Sequence, residues 1–393
     1  MIDEPVFRNF NTIGSASMTK LHVIYVDDDQ LMLKATARMF RRLRPEWTIT
    51  LVSDPLKWEE NITAEPSLII SDLLMPKLNG DKLLAEVRHR YPYAIRCLIT
   101  GNTNQDVPDA ISNYAHFILP KPFTENDILA ILDSAEQLHN PPFNADCLAK
   151  ISNTCEHIPV LPKAVKDIQA IARNKNADLK ELADAVRQEP AVAARVIQLA
   201  NSSYLGFQSS TVFLEVAISR LGAVIVEAVA VCMLGHKSFI ALTEKEHDHV
   251  VERFTTIAAS AKSLAKSAHL SLEEQESAFI MSLLISIGML TLEESGIDDA
   301  LCFDRYTFSS DYDDVILITV YVLTLWGYSR KITASMLNIR FSLTTLNQDE
   351  VTNCVSLALA MHIAKQGGDD EVINLLQAIP EKYNQSVRQV LKV

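Results

Sequence analysis

From Leu21 onward, short runs rich in β-branched residues alternate with stretches whose apolar positions recur every three or four residues. The order is LHVIYV, a helical stretch to about Leu43, TITLV, a helix, SLIIS, a helix, AIRCLIT, a helix, HFIL, and a last helix ending near Leu138. Apolar strands that each lead into a helix predict a parallel sheet covered on both faces. The fold class expected for residues 21–138 is α/β, a doubly wound sheet of five parallel strands. Beyond Pro141-Pro142 the sequence shows no strand-like alternation of any length, only helical periods with short breaks. Asp178 with Glu181 forms a capping-box signature ahead of Leu182 and Val186. Pro190 suits the first turn of the next helix, in which Val192, Val196 and Leu199 share a face. The second half is therefore expected to be all-α. The expected boundaries are an N-terminal extension at 1–20, the α/β domain at 21–138, a linker at 139–150, a helical domain at 151–340 and a C-terminal helical extension at 341–393.

Composition supports large cores and narrows the partners. The 393 residues favour two or three domains, and 48% apolar with 22% charged residues is ordinary globular usage. A formal net charge of -13 would repel a phosphate backbone, and the densest basic cluster, Arg38, Arg41, Arg42 and Arg44, closes a predicted helix. Nucleic acid is a disfavoured partner. Cys97, Cys147, Cys155, Cys232, Cys302 and Cys354 are scattered singly, which reads as buried thiols in a reducing cytoplasm. The N-terminus lacks the layout of a secretory signal, and the longest apolar segments, near Ala223–Leu234, Phe279–Leu290 and Val315–Trp326, fall short of the roughly 20 residues that span a bilayer. They read as core helices, with no membrane partner.

In open α/β sheets function collects where the strands end. The first strand ends in Asp27, Asp28 and Asp29, and the third ends in Asp72. Crowded carboxylates repel unless a cation neutralises them, and such an all-oxygen site suits Mg²⁺ (or Mn²⁺). The fourth strand ends in Thr100 ahead of the small Gly101, and the fifth in Lys121-Pro122. Nucleophile, metal, hydroxyl and ammonium together are what phosphoryl transfer requires. Each residue alone also has an ordinary reading as a helix cap or a turn. The combination, in this order on these strand ends, carries the weight.

The segments VDDD at 26–29, SDLLMPKLNG at 71–80, LITG at 98–101 and KPF at 121–123 resemble the receiver domains of two-component response regulators, over the first third of the chain. The resemblance implies a flavodoxin-like fold with Asp72 as phosphoacceptor. It implies that Asp27, Asp28, Asp72 and the Leu74 backbone carbonyl hold Mg²⁺, and that Thr100 and Lys121 bind the phosphoryl oxygens. It further implies a cis Lys121-Pro122 peptide and a sensor histidine kinase or phosphotransfer protein as partner. One position departs from the pattern. Family members often carry an aromatic residue three places before the lysine; Ile118 stands there, with Phe117 beside it. Pro120 suits an edge strand.

In the second half, IPVLPKAVKDIQAI at 158–171, VRQEPAVAARVIQLANSSYLG at 186–206 and VAISRLG at 216–222 resemble the HDOD domain, a helical output module related to HD phosphohydrolases. HD hydrolases need a His-Asp pair among their metal ligands. The resemblance puts Ile285 and Ser286 in those places, and a segment that ends in histidines in catalytic relatives ends here in Asn338, Ile339 and Arg340. His157, His236, His247, His249, His269 and His362 show no i, i+4 pairing and read as solvated or hydrogen-bonded side chains, and Asn201 as a structural amide. No enzyme activity is expected of this half. The expected function is that of a cytoplasmic response regulator, phosphorylated on Asp72, whose helical half contacts a downstream protein partner; a homodimer is compatible with it. The rivals are an HD-GYP-type cyclic-dinucleotide phosphodiesterase and a DNA-binding transcriptional regulator. The first lacks its ligands. The second would have to read a groove with Arg195 among apolar neighbours.

Overall fold

The computed structural model describes residues 20–60, 62, 64–101, 114–140, 142–143, 147–148, 151, 161–174, 176–201, 209–234, 242–294, 313–328, 330–340, 346 and 349–392. The first part is a five-stranded parallel sheet of order β2-β1-β3-β4-β5, formed by β1 (His22–Val26), β2 (Thr48–Val52), β3 (Leu68–Asp72), β4 (Ile95–Thr100) and β5 (Phe117–Pro120). Strands β1, β3 and β4 are buried along their whole length, which is why they read as mainly apolar runs, with His22 and Arg96 among the buried exceptions. On one face Val23, Tyr25, Leu68, Ile70, Cys97 and Ile99 meet the helices α1 (Gln30–Leu43) and α3 (Glu125–Leu138). On the other, Ile24, Val26, Ile69 and Leu98 meet α2 (Gly80–Arg90) and Trp58. The Lys121-Pro122 peptide is cis.

One connection departs from the expected strand-helix alternation. Between β2 and β3 the chain makes a single 3₁₀ turn at Pro55–Lys57, and no α-helix occurs there among the described residues. Pro55 starts the turn under the Asp54 cap, and Pro66 precedes β3. The helix expected between AIRCLIT and HFIL falls on 102–113, outside the described residues, as does the N-terminal extension up to residue 19.

The second part is helical throughout its described residues. It comprises α4 (Lys163–Arg173), α5 (Leu179–Arg187), α6 (Pro190–Ala200), α7 (Leu214–Leu221), α8 (Ala223–Leu234), α9 (Glu244–Ser267), α10 (Leu272–Glu294), α11 (Asp314–Leu325), α12 (Arg330–Met336), α13 (Glu350–Gly367), α14 (Asp369–Ala378) and α15 (Glu381–Leu391). Asp178 caps α5 through the Lys180 N–H, and Pro190 occupies the first turn of α6. The long α9 and α10 pair along their length, with α11 against α10 and α13 against both. A Cβ on Gly288 would lie 2.2 Å from Thr319 Oγ1 and 2.4 Å from the Val315 carbonyl, so only glycine lets α10 and α11 approach this closely. Over Leu272–Leu292 helix α10 is long and apolar enough to cross a membrane, yet 83% of that stretch is buried inside the fold. It is longer than the apolar pattern of the sequence implies and is a core helix.

The two parts share one apolar core. Helix α3 packs on α11 and α12, where Gln137 and Thr333 exchange hydrogen bonds of 2.9 and 3.1 Å out of contact with water. Phe143, Cys147 and Leu148 in the expected linker are buried, and Phe143 sits 6.0 Å from the ring of Tyr321. Near this seam the Arg96 backbone N–H donates to His116 Nδ1 at 3.2 Å, and the Arg96 guanidinium faces His116 Nε2 at 2.7 Å. A ring proton on both nitrogens would set donors against donors. Burial, followed by the charges of Arg96 on β4, Arg88 on α2 and Lys166 on α4, holds His116 well below the usual histidine range. The unfolded chain then binds a proton near pH 6.5 that the folded chain refuses, so stability falls on acidification below that point, by at most about 1.4 kcal/mol per pH unit from this group. Denaturant midpoints at pH 7 and pH 5 check this. In His116→Asn, which keeps an acceptor for the Arg96 N–H, the pH dependence is expected to flatten, and an unchanged slope would exclude His116 as its source.

Candidate functional site

The strand register assembles the site. Val26 of β1 pairs with Ser71 of β3, so Asp27 and Asp72 emerge side by side where the strand order reverses. Asp72 pairs with Ile99, and Thr100 with Pro120, which puts Lys121 one residue past the end of β5. The Lys121 ammonium donates to Asp72 Oδ1 at 2.5 Å and lies 3.4 Å from Asp27 Oδ2. The Leu74 N–H holds the other Asp72 oxygen at 2.9 Å. Asp27 Oδ1 accepts from the Asp29 N–H at 2.8 Å, and Asp29 itself caps α1 through Leu31 and Met32.

Gly80 explains the tight return of the MPKLNG segment. An added Cβ would stand 2.1 Å from the Asp72 carbonyl oxygen, so no side chain fits where α2 begins behind the strand end. The turn also takes Lys77 to a φ of 72°, and the Gly80 N–H closes it onto the Leu73 carbonyl at 3.0 Å. At the opposite side of the rim, a Cβ on Gly101 would meet nothing within 4 Å among the described residues.

Of the expected residues, Asp27, Asp72, Thr100 and Lys121 come together, with the first three buried. Asp28 is exposed at the rim, and Leu74, 67% exposed, reaches Asp72 through its N–H. Tyr25 is a further participant. Its hydroxyl donates to Asp27 Oδ2 at 2.8 Å, and strand alternation, which puts residues 25 and 27 on one face, is the signal that finds it. Burial, then the Asp27 charge, pushes the Tyr25 phenol far above its usual range, so it stays a donor.

Burial raises the Asp72 carboxyl, the hydrogen bond and charge of Lys121 oppose this, and the Asp27 charge adds to it. Burial works against the Lys121 ammonium, yet its hydrogen bond to Asp72 and the charges of Asp27 and Asp72 carry its pKa above the usual lysine value. Two buried carboxylates sharing one cation form an oxygen-rich site with a demand for positive charge, and Mg²⁺ takes only one or two carboxylates besides water. Asp27 and Asp72 fit that requirement. No cluster of three metal-binding side chains forms among the described residues, and Asp28 is exposed at the rim.

In the helical part, Ile285 and Ser286 are fully buried. Ser286 Oγ donates to Cys232 Sγ at 3.4 Å, Cys232 Sγ to the Leu283 carbonyl at 3.6 Å, and the Cys232 carbonyl lies 2.9 Å from His247 Nε2. Ile339 is core, and Arg340 donates to the carbonyls of Leu337 and Ile339 at the end of α12. Asn201 exchanges two 2.7 Å hydrogen bonds with the Thr211 backbone. The rest of ANSSYLG, with His157 and His236, lies outside the described residues.

Comparison with known proteins agrees with this division. The response regulator receiver domain model matches residues 23–133, and the HDOD domain model matches 158–305. The DNA-binding transcriptional regulator NtrC of Klebsiella pneumoniae is 31% identical over 93 residues, 21% of this chain and 19% of NtrC. The chain likewise spans only 20% of the length of the Arabidopsis thaliana regulator ARR21. A crystal structure of a Neptuniibacter caesariensis protein is 30% identical, covering 30% of this chain and 88% of that one, with a TM-score of 0.28. A metal-dependent phosphohydrolase structure from Shewanella amazonensis is 17% identical, covering 63% and 99%, with a TM-score of 0.44. The chain carries, in order, a response regulator receiver domain and an HDOD domain.

Proposed function

We propose that the protein is a cytoplasmic response regulator that receives a phosphoryl group on Asp72 from a sensor histidine kinase or phosphotransfer protein and acts through protein contacts of its HDOD half. The observation that carries this reading is the Lys121 ammonium poised between Asp72 and Asp27 at the strand ends. With the Leu74 N–H holding Oδ2, Oδ1 is the oxygen that attacks phosphorus. The bond from phosphorus to the donor breaks, its electron pair leaves with the donor, and an acyl phosphate forms. Asp27, Asp28, Asp72 and the Leu74 carbonyl would hold Mg²⁺, directly or through its waters, and the ion would neutralise the phosphoryl oxygens. Lys121 moves from the carboxylate to a phosphoryl oxygen, and Thr100 donates from the adjacent strand end. The buried free thiols Cys97, Cys147, Cys232 and Cys354 suit a reducing compartment.

A non-catalytic output is supported by Ile285 and Ser286, which are packed into the core at the positions a hydrolase would give to metal ligands. Incubation with Mg²⁺ and a small-molecule phosphodonor is expected to add one phosphoryl group by intact mass, and no added mass would refute the reading. Asp28→Ala should raise the Mg²⁺ concentration needed for half-maximal labelling about tenfold. An unchanged Mg²⁺ dependence would remove Asp28 from the metal shell.

A further inference from the structure

We propose that Tyr25 is a positioning residue of the strand-end site: its buried phenol fixes the Asp27 carboxylate in the orientation that presents it to the divalent cation. The role given to that cation rests on the reading that Asp72 is phosphorylated. The Tyr25 ring is fully buried in β1, between Leu51 of β2 and Ile70 of β3, and packs into the core on the side of α1 and α3. A hydroxyl so placed is cut off from water and needs a partner inside the protein. Alternation along the strand puts Asp27 on the same face, two residues on, and the bond between them, 2.8 Å long, is itself buried.

The two oxygens of Asp27 are held differently. Oδ1 accepts from the Asp29 N–H at 2.8 Å, a backbone donor fixed by the start of α1. Oδ2 is shared by the Tyr25 hydroxyl at 2.8 Å and the Lys121 ammonium at 3.4 Å, and that ammonium sits closer to Asp72 Oδ1, at 2.5 Å. The phenol thus holds Oδ2 against the pull of Lys121. Without it, Lys121 is the donor left to Oδ2 among the described residues. The carboxylate would turn toward the ammonium and close an ion pair that withdraws Asp27 from the cation. A neutral donor suits this task better than a second positive charge, because it orients the carboxylate and leaves its full charge for Mg²⁺. Groups that hydrogen-bond a metal-binding carboxylate from behind govern metal affinity by about 10- to 100-fold.

Binding of Mn²⁺ to the unphosphorylated full chain, followed by the electron paramagnetic resonance signal of the free ion, tests this without any phosphotransfer. Tyr25→Phe keeps the ring and its packing and removes the hydroxyl alone, so the fold is retained, and its Kd for Mn²⁺ is expected to be about tenfold higher than that of the wild type. A merely structural role is separated by a double-mutant cycle with Asp27→Ala. Once the carboxylate is gone, removing the hydroxyl should change Kd by less than about twofold. An equal Kd in the wild type and Tyr25→Phe overturns the proposal, as does a tenfold loss that persists in the Asp27→Ala background. A wild-type Kd that Asp27→Ala leaves unchanged takes Asp27 out of the cation shell and overturns it too. Intact mass after acetyl phosphate and Mg²⁺ is the separate record of phosphorylation: a wild-type chain that completes the cycle as expected yet gains no mass overturns the Asp72 reading alone.

Discussion

Asp72→Asn is expected to take up no phosphoryl group, a loss of at least about 100-fold in labelling, while the receiver stays folded. The amide keeps the shape of the carboxylate and an oxygen for the Leu74 N–H, so the turn into α2 is preserved. It loses the nucleophilic charge and the ion pair with Lys121. It also ends the repulsion between Asp72 and Asp27, so stability should be unchanged or higher. The measurement is intact mass after incubation with Mg²⁺ and a phosphodonor, with base treatment to distinguish an acyl phosphate from a phosphoester. Undiminished, base-labile labelling of the variant would move the acceptor elsewhere, and Asp27 would be the first carboxylate to examine because Lys121 serves it too.

The chemistry of this site is legible in the sequence because it lies on strand ends. Mainly apolar runs reveal which strands are central, and the residue that ends or follows each run is thereby placed at the rim; Asp72, Thr100 and Lys121 are found there without knowledge of any long-range contact. Asp28 shows where that logic stops. Adjacent residues leave a strand on opposite sides, so Asp27 is buried against Tyr25 while Asp28 faces solvent, a difference that a run of neighbouring carboxylates does not reveal. Among the described residues after β2 the expected helix is replaced by the 3₁₀ turn at Pro55–Lys57.

The seam between the domains carries no periodic signature. Gln137 and Thr333 stand 196 residues apart and each reads as an ordinary polar helix position, yet they satisfy one another in the buried interface. Phe143, Cys147 and Leu148 lie just past two prolines, a pattern that reads as an exposed linker, and they are core. Proline marks where a helix stops, but whether the next residues are buried depends on the elements that the rest of the chain places beside them.

Restoring a His-Asp pair with Ile285→His and Ser286→Asp is expected to destabilise the helical domain by at least about 3 kcal/mol and to create no metal site. Both positions are fully buried, and their surroundings are already spoken for. Ser286 is bonded to Cys232, the Cys232 carbonyl is in contact with His247, and the close approach at Gly288 locks α10 against α11 around Thr319 and Val315. An imidazole differs in shape from the β-branched Ile285 and would bury polar nitrogens there, and a carboxylate at 286 would be fully desolvated beside the Cys232 thiol. Metal binding could offset that burial only if further ligands waited on the facing helices, and no cluster of three such side chains exists among the described residues. Denaturant unfolding followed by circular dichroism, with and without Mn²⁺ or Fe²⁺, measures the loss directly. If either ion restored the midpoint and bound stoichiometrically by elemental analysis, the helices would be able to open a hydrolase-type centre, and the non-catalytic reading of this domain would fall.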